Sequence, residues 1–274
     1  MESLKGKVVA VTGAASGLGR AMALAFAGEG MDVALADVSD VAEVAREVKG
    51  KGVRVTSMRV DVSSEADVQR FADSLPRVHV VCNNAGIAIP GAAWENSVDD
   101  WKWILGVNLW GVIHGVRTFA PRLIAQDEGH IVNTASVAGL ISPPSSGAYN
   151  VTKHAVVTLS ESLYHDLRER NSRVGVSVLC PAYVPTGIAD SERNRPAGSV
   201  SGAFSEQTKM KQAMLRKAVS SGRLSADDVA RAVVAAVREN RFYILTHPRI
   251  KGAIRARMED ILEERAPRNP LGPL

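Results

Sequence analysis

Two side chains that could exchange a proton stand four residues apart in the segment YNVTK, Tyr149 to Lys153. The segment follows a loop rich in Pro, Ser and Gly and opens a long helical pattern. On a helix, positions i and i+4 share one face, so a phenol and an ammonium there can reach the same small ligand. The spacing permits acid–base cooperation, although a plain surface pair on a helix would show it as well.

A glycine-rich stretch near the start, VVAVTGAASGLGRAMALAF, places Gly13, Gly17 and Gly19 between a strand-like and a helix-like segment. Glycine permits a tight turn and lets backbone N–H groups approach a pyrophosphate at a helix N-terminus. A strand that ends in Asp37 follows about twenty residues later, as in dinucleotide sites. Asp37 could accept hydrogen bonds from the adenosine ribose and repel a 2′-phosphate, which favours NAD over NADP. The alternative is that Asp37 caps a helix.

Short β-branched runs alternate with longer helical patterns along the chain. This alternation is typical of right-handed βαβ units, which build a mostly parallel sheet covered by helices on both faces. We therefore predict an α/β fold with about seven strands. The predicted strands are KVVAVT, DVALAD, VRVTSMRVD, VHVVCN, HIVNTAS, VGVSVLC and FYIL.

One domain, residues 1–274, is expected, because no repeat, low-complexity segment or linker divides the chain. Residues from about 185 to 223 are polar and rich in Gly and Ser, and they are too many for a plain connection, so we predict a mobile lid over a site. The run PRIKGAIRARMEDILEER, with Arg255 and Glu259 at helical spacing, predicts an amphipathic closing helix. This helix and a Pro-rich tail form the last segment, about 247–274.

Composition argues against several classes of protein. The hydrophobic fraction of 46% is ordinary for a soluble globular protein, and no stretch approaches the ~20 apolar residues of a membrane span. The net charge of +4 is spread among acids, so we do not expect nucleic-acid binding. Cys82 and Cys180 each end an apolar run and predict buried thiols, and no His or Cys spacing suits a metal. Without a signal region before the first strand, we expect a cytoplasmic protein with no membrane partner.

Four motifs occur in the order and approximate spacing of one known family. They are TGAASGLG at 12–19, NNAG at 83–86, Ser136 after a strand, and YNVTK at 149–153. On these motifs the sequence resembles the short-chain dehydrogenase/reductase family over nearly its whole length. The resemblance implies a Rossmann-type, doubly wound parallel sheet. It also implies an oxidoreductase that transfers a hydride between NAD(H) and a secondary alcohol or ketone.

The resemblance implies a catalytic tetrad of Asn108, Ser136, Tyr149 and Lys153. Tyr149 would be the acid/base, and the positive charge of Lys153 would lower its pKa from the ordinary value of about 10. Lys153 would also bind the nicotinamide ribose. Ser136 would hold the substrate oxygen, and Asn108 would position a water that links Lys153 to solvent. Taken alone, Ser136 could equally cap a turn, and Asn108 could be a buried structural amide.

For the coenzyme, the resemblance implies contacts from the glycine loop, the ends of the second and third strands, NNAG and the segment after Cys180. That last segment, PAYVPT, departs from the family pattern because Ala182 stands where glycine is usual, and Ala tolerates positive φ poorly. Besides Tyr149 and Lys153, the implied cofactor-binding residues are Gly13, Ser16, Gly17, Leu18, Gly19, Asp37, Val38, Asp61, Val62, Asn84, Ala85, Gly86, Pro181, Val184 and Thr186.

Other functions stay open at this stage. An NADP(H)-dependent carbonyl reductase is one alternative, if a distant basic residue compensates for Asp37, and a non-catalytic dinucleotide-binding sensor or scaffold is another. By family analogy we expect a homo-oligomer, a tetramer or a dimer. Four aromatic side chains could add apolar interface area or belong to the core: Trp101, Trp103, Trp110 and Phe119.

The substrate is predicted only by class. No convergent Arg or Lys motif indicates a carboxylate or phosphate on it. The loops expected around the nicotinamide end suggest a mainly apolar pocket. Their candidate lining residues are Trp94, Leu140, Ile141, Tyr183, Phe204 and Met214. We therefore expect a hydrophobic or cyclic secondary alcohol or ketone.

Overall fold

The computed structural model describes residue 1 and residues 3–272 of the chain. In this part of the chain the strands are β1 (Val8–Thr12), β2 (Asp32–Asp37), β3 (Val55–Arg59), β4 (Val80–Asn83), β5 (His130–Thr134), β6 (Gly175–Leu179) and β7 (Tyr243–Ile244). They form one sheet in the order β3-β2-β1-β4-β5-β6-β7, and every neighbouring pair is parallel. The predicted α/β fold is confirmed, and only strand ends differ from the prediction.

Helices cover both faces of the sheet. In the described residues they are α1 (Gly17–Gly28), α2 (Ala42–Lys49), α3 (Glu65–Asp73), α4 (Val98–Leu105), α5 (Gly111–Ala125), α6 (Gly147–Glu169), α7 (Glu206–Ser220), α8 (Ala226–Glu239) and α9 (Ile250–Leu262). α1, α2 and α8 pack on one face, and α3, α5 and α6 pack on the other. A π-helical turn, Gly106–Trp110, joins α4 to α5, and 3-10 segments cover Val137–Gly139 and Gly187–Asn194.

The central strands are apolar on both sides because each side meets a helix layer. In β1, Val9 and Val11 join the core formed with α1, while Ala10 between them joins the core on the other face. Successive side chains of a strand point to opposite faces, so a strand buried on both faces reads as a continuous apolar run. This pattern made the central strands recognisable in the sequence.

The strand order reverses between β1 and β4, and the loops that leave their carboxyl ends enclose a crevice. Thr12 bridges the two loops, because its hydroxyl accepts hydrogen bonds from the N–H groups of Asn84 (2.9 Å) and Ala85 (3.1 Å). The Asn84 side chain donates in turn to the Thr12 carbonyl at 3.0 Å. The crevice at the switch point therefore has a fixed width.

Two glycines of the first loop lie where no side chain fits. Gly13 has a φ of +66°, and a Cβ there would lie 2.8 Å from the Cα of Ala85. A Cβ at Gly19 would lie only 2.0 Å from the carbonyl oxygen of Gly13. Gly19 thus allows α1 to pack tightly against the end of β1.

The edges of the sheet differ from its centre. β3 is an edge strand with exposed Thr56, Ser57 and Arg59, and β7, at the opposite edge, has two residues. Beyond β7, the predicted closing helix forms as α9, but Asp260 is its buried residue, and Glu259 contacts Arg268 at 3.3 Å instead of Arg255. None of the described helices is both long and apolar enough to cross a membrane.

The aromatic residues considered for an interface separate into core and surface. Phe119 is fully buried, in edge-to-face contact with Phe71, and Trp103 is also buried. Trp101 packs partly against the same cluster as Trp103, whereas Trp110 is half exposed. Phe119 and Trp103 therefore belong to the core.

Substitution of Gly19 by Ala should lower the free energy of unfolding by about 2 kcal/mol or more, because the new methyl group would overlap the carbonyl of Gly13. The matched control is Gly28→Ala on the same helix, where a Cβ has no atom within 4 Å. There Ala should be neutral or stabilising by up to about 1 kcal/mol. Urea unfolding of both variants measures the difference, and equal stabilities would contradict the packing at Gly19.

Candidate active site

A cavity of about 490 Å³ lies at the carboxyl ends of the strands and is lined by the segments that follow β1 to β6. Every residue predicted for catalysis or cofactor binding lines it except Gly19 and Asn108. Gly19 lies behind the glycine loop, and Asn108 lies behind the wall residue Ile87, with which it shares hydrogen bonds. Motifs that are distant in the sequence thus meet around one space.

The glycine loop presents the N-terminus of α1 to this cavity. Ser16, at the N-cap of α1, makes no side-chain capping hydrogen bond. The N-termini of α3, α4, α7 and α8 differ, because each is capped by the hydroxyl of its own serine. The first-turn N–H groups of α1 therefore lack this acceptor, and they suit an anionic group such as a phosphate.

Asp37 lies at the end of β2 and shapes the same loop. One carboxylate oxygen accepts a hydrogen bond from the Ala15 N–H at 2.9 Å, and the other accepts from the Ser39 N–H at 2.8 Å. The alternative interpretation as a helix cap is wrong, because the N-cap of α2 is Val41. Asp37 thus presents a negative charge to the cavity wall.

Two basic side chains lie near the Asp37 end of the cavity, and neither lines it. Arg20 is paired with Glu47, with 3.1 Å between Nε and Oε1. Arg59 donates from Nε to the carbonyl of Val38 at 3.1 Å. Of these two, Arg59 makes no ion pair within residues 3–272, so it is the better candidate for the cation that the NADP alternative needs.

Tyr149 and Lys153 both lie on α6, so the helix inferred from their spacing is confirmed. The Lys153 ammonium is 5.6 Å from the centre of the Tyr149 ring and donates a hydrogen bond to the Thr134 carbonyl at 3.0 Å. Gly86 faces this amine, and a Cβ there would lie 3.5 Å from Nζ. The two groups share the inner end of the cavity.

Burial dominates the electrostatics of this pair. It raises the pKa of Tyr149 above the usual value, an effect that a hydrogen bond with Ser136 partly offsets. Burial also lowers the pKa of Lys153 to about 8. The lowered tyrosine pKa expected from the sequence is therefore not present in the chain alone, because removal of the phenol from water is the largest effect on its pKa.

Ser136 caps a 3-10 segment and also lines the cavity. Its hydroxyl caps the 3-10 segment Val137–Gly139 by accepting from the Ala138 N–H at 3.1 Å, as the turn-cap interpretation predicts. Ser136 also lines the cavity beside Tyr149. A structural role and contact with a ligand are therefore compatible.

Asn108 is a buried structural amide in the π-helical turn. Its side-chain oxygen accepts from the Ile87 N–H at 2.8 Å, and its Nδ2 donates to the Ile87 carbonyl at 2.9 Å and to Thr152 at 3.2 Å. These bonds join the loop after β4 to α6. Asn108 thus holds the wall next to Lys153 in place.

The departure at Ala182 causes no strain. Ala182 does not have a positive φ, and its N–H donates to Nδ1 of His247 at 3.2 Å. Neighbouring Pro181 and Val184 line the cavity as predicted. An alanine therefore fits this position without the left-handed backbone that a glycine would permit.

The prediction of the apolar pocket residues was wrong. None of the six candidates lines the cavity: Trp94 and Met214 are exposed, and Ile141 is packed in the core. The apolar side chains of the wall include Trp103, Val107, Ile188, Pro196 and Val219. The spacing of Trp103 and Val107, one helical turn apart just before Asn108, was the signal that could have indicated two of them.

The stretch 185–223 covers the outer end of the cavity and contains helices. Arg195 binds Asp100 at 2.7 Å and Glu192 at 2.6 Å, and its guanidinium lies 4.6 Å from the centre of the Trp103 ring. Further along, Glu95 accepts from Thr208 at 2.6 Å, and hydrogen bonds to Ser205 and Thr208 hold the pKa of Glu95 at about 2. The mobility of this lid stays a prediction.

Comparison with known proteins gives a consistent picture. The sequence model of a family described as short chain dehydrogenase matches residues 7–197. A crystal structure of a short chain dehydrogenase/reductase from Burkholderia phymatum in complex with NAD has a TM-score of 0.95 and 49% identity, over 100% of this chain and 99% of that chain. The CLA biosynthesis dehydrogenase/reductase of Lactiplantibacillus plantarum is 32% identical over 97% of both chains. C alpha-dehydrogenase of Sphingobium sp. is 30% identical, over 97% of this chain and 89% of its own.

Lys153 should make the free energy of unfolding of the coenzyme-free protein rise with pH from about 8 towards 10, because its folded pKa is about 8, against 10.5 when unperturbed, so this amine binds more protons in the unfolded chain. The buried thiols of Cys82 and Cys180 act in the opposite direction, because burial raises their pKa values. Lys153→Met should remove the rising contribution, whereas the exposed control Lys209→Met should keep it. Urea unfolding of each protein at several pH values measures the pH dependence of the free energy of unfolding. Parallel plots of this free energy against pH for wild type and Lys153→Met would contradict the prediction.

Proposed function

The chain belongs to the short-chain dehydrogenase/reductase family, and on that premise we propose that it transfers a hydride between NAD(H) and a secondary alcohol or ketone. The observation that carries the proposal is the meeting of Ser136, Tyr149 and Lys153 with the glycine loop around one cavity. An acid/base pair beside a dinucleotide-shaped crevice suits the oxidation of a carbinol, which releases one proton with each hydride. The two alternative functions are an NADP(H)-dependent carbonyl reductase and a non-catalytic dinucleotide-binding sensor or scaffold.

The residues present fit a nicotinamide dinucleotide. The uncapped N-terminus of α1 suits the pyrophosphate, and Asp37 suits the adenosine ribose. At the other end, the bare Cα of Gly86 leaves room beside Lys153, which we propose binds the second ribose. When bound, the nicotinamide ring accepts or donates the hydride.

The chain's own residues would manage the proton. We assign Tyr149 as the group that takes the proton from the alcohol or returns it to the ketone oxygen, with Ser136 donating a hydrogen bond to that oxygen. Lys153, while protonated, stabilises the phenolate because its ammonium lies on the same side of α6. Asn108 keeps the loop at Ile87 and α6 in register. Its role in positioning a water that links Lys153 to solvent stays a prediction.

The apolar wall supports the class of substrate. It offers aliphatic and aromatic surface from Trp103, Val107, Ile188 and Val219. The hydroxyl of Ser191 is already hydrogen-bonded within the protein, because it accepts from the Ala88 N–H at 2.9 Å and donates to the Ile188 carbonyl at 2.7 Å. Such a wall favours a hydrophobic or cyclic secondary alcohol or ketone. The residues proposed earlier for this pocket play no part in it.

Assembly into a homotetramer or dimer stays a prediction. The half-exposed Trp110 at the start of α5 and Val151 on α6 are apolar residues near the helices through which family members commonly pair.

Tyr149→Phe should reduce turnover of secondary alcohols with NAD by at least about 100-fold, because the proton of the alcohol loses its acceptor. NADH absorbance with an alcohol panel gives the rate, and NADH fluorescence should show retained coenzyme binding. Tyr183→Phe removes a phenol that does not line the cavity and should keep its activity. Unchanged activity of Tyr149→Phe would end the assigned mechanism. Coenzyme binding without turnover of any alcohol or ketone by the wild type would favour the sensor or scaffold.

Wild type should bind NAD about tenfold more tightly than NADP, because Asp37 would bond the ribose hydroxyls of NAD and repel a 2′-phosphate. Asp37→Ser should narrow the ratio of the two dissociation constants. Glu43→Gln, which removes a negative charge from the first turn of α2 outside the cavity wall, should leave the ratio unchanged. Calorimetric titration measures both constants. Tighter binding of NADP would overturn the preference and point to Arg59 as the compensating cation.

A further inference from the structure

Arg193 brings a positive charge to the cavity wall from the 3-10 segment of the lid. Within residue 1 and residues 3–272, the cations of this wall are Arg193 and Lys153, and Arg193 has no carboxylate within ion-pair distance. Its neighbours on the lid differ: Arg195 is paired with Asp100 and Glu192, and Arg216 lies 3.6 Å from Asp190. Arg193 therefore carries a charge that the described protein does not neutralise by pairing.

Hydrogen bonds to the backbone hold one part of the guanidinium. Nη1 of Arg193 donates to the carbonyl oxygens of Gly187 at 2.7 Å and of Asp190 at 2.8 Å. Nε and Nη2 donate to no acceptor in the described part of the chain. The side chain is thus oriented by its own turn and keeps one edge of its fork for a ligand, so little further ordering is needed on binding.

Two close contacts locate this free edge. A Cβ at Gly187 would lie 3.2 Å from Nη2 of Arg193, so the guanidinium rests against the bare Cα of Gly187. The preceding residue, Thr186, touches the glycine loop, since a Cβ at Gly17 would lie 3.2 Å from the Cβ of Thr186. Gly17 is the first residue of α1, whose N-terminus is the proposed phosphate site. Arg193 and the N-terminus of α1 therefore line the same cavity, and the segment that carries Arg193 touches the glycine loop at Thr186.

The distribution of charge favours an anion at this point. The acids of the cavity wall, Asp37, Asp40 and Asp61, lie at the other side of the loop, where the adenosine is proposed to bind. Around α1 the wall offers backbone N–H groups, and the nearby Arg20 is already paired with Glu47. A guanidinium pairs with phosphate oxygens through two parallel hydrogen bonds, which is stronger than neutral contacts.

We propose that Arg193 binds the pyrophosphate of the coenzyme from the lid side, opposite the N-terminus of α1. This assignment rests on the proposed function, since it needs a dinucleotide in the crevice. It also links the two ends of the cavity, because the turn that carries Arg193 also carries Ile188 and Ser191, which line the substrate end. Coenzyme binding thereby restrains the turn that also lines the substrate end.

The test compares ligands with and without a pyrophosphate. Arg193→Gln should weaken the binding of NAD and of ADP about tenfold and leave the binding of adenosine unchanged. Calorimetry gives the constants for NAD and ADP, and competition with NADH fluorescence gives that for adenosine. The affinity of the variant for ADP should also fall less steeply with salt than that of the wild type. Arg216→Gln, on the same lid and outside the cavity wall, should bind all three ligands as the wild type does.

Other outcomes overturn the assignment. Equal ADP affinity of wild type and Arg193→Gln excludes a pyrophosphate contact, and an equal loss for adenosine shows that Arg193 only supports the fold of the lid. A loss for NAD but not for ADP would place Arg193 at the nicotinamide end. Failure of the wild type to bind NAD at all would instead refute the proposed function.

A second measurement needs no variant. Hydrogen exchange of residues 187–194 in the wild type should slow on addition of ADP and stay unchanged on addition of adenosine. Equal exchange with both ligands would overturn the proposal even if Arg193→Gln failed to fold.

Discussion

The loops that follow β1 and β4 are hydrogen-bonded to each other where the strand order reverses, and they form part of the wall of the crevice. Thr12 and Asn84 exchange hydrogen bonds across this contact. The close approach also requires Gly13 and Gly19, because a side chain at either position would overlap neighbouring atoms. A pyrophosphate can reach the N-terminus of α1 because the strand, the turn and the helix are packed this closely. The position of every other wall of the site follows from this junction, since parallel strands all end at the same edge of the sheet.

Burial gives the reactive end of the site its character. Tyr149 and Lys153 are both pushed towards their neutral forms by removal from water, so neither is charged in advance to the degree that an exposed pair would be. A charged ligand that enters the cavity would therefore shift the pKa of both groups, since little water lies between to screen it. This sensitivity suits a site in which a proton and a hydride must move in concert with one ligand.

Much of this arrangement is local in the sequence and could be predicted from it. Three signals each lie within a few consecutive residues: the apolar runs of β1 and β2, the glycines after β1, and the interval from Tyr149 to Lys153. The cavity wall is less local in the sequence. Trp103 and Val107 stand one helical turn apart, but Val219 belongs to another helix, and the two helices meet only after folding. The six expected pocket residues failed for this reason. Arg193 was missed because its significance lies in having no acidic partner among the described residues, which a sequence does not display.

The two outer strands have a consequence for the behaviour of the protein in concentrated solution. An exposed strand edge can template pairing with another chain and start aggregation. Here β3 turns Thr56, Ser57 and Arg59 to solvent, and β7 offers a ladder of only two residues. Polar side chains on one edge and shortness on the other leave little backbone on which a foreign strand could dock. The edges of the sheet are thereby poor sites for the addition of strands from other chains, which disfavours fibril formation.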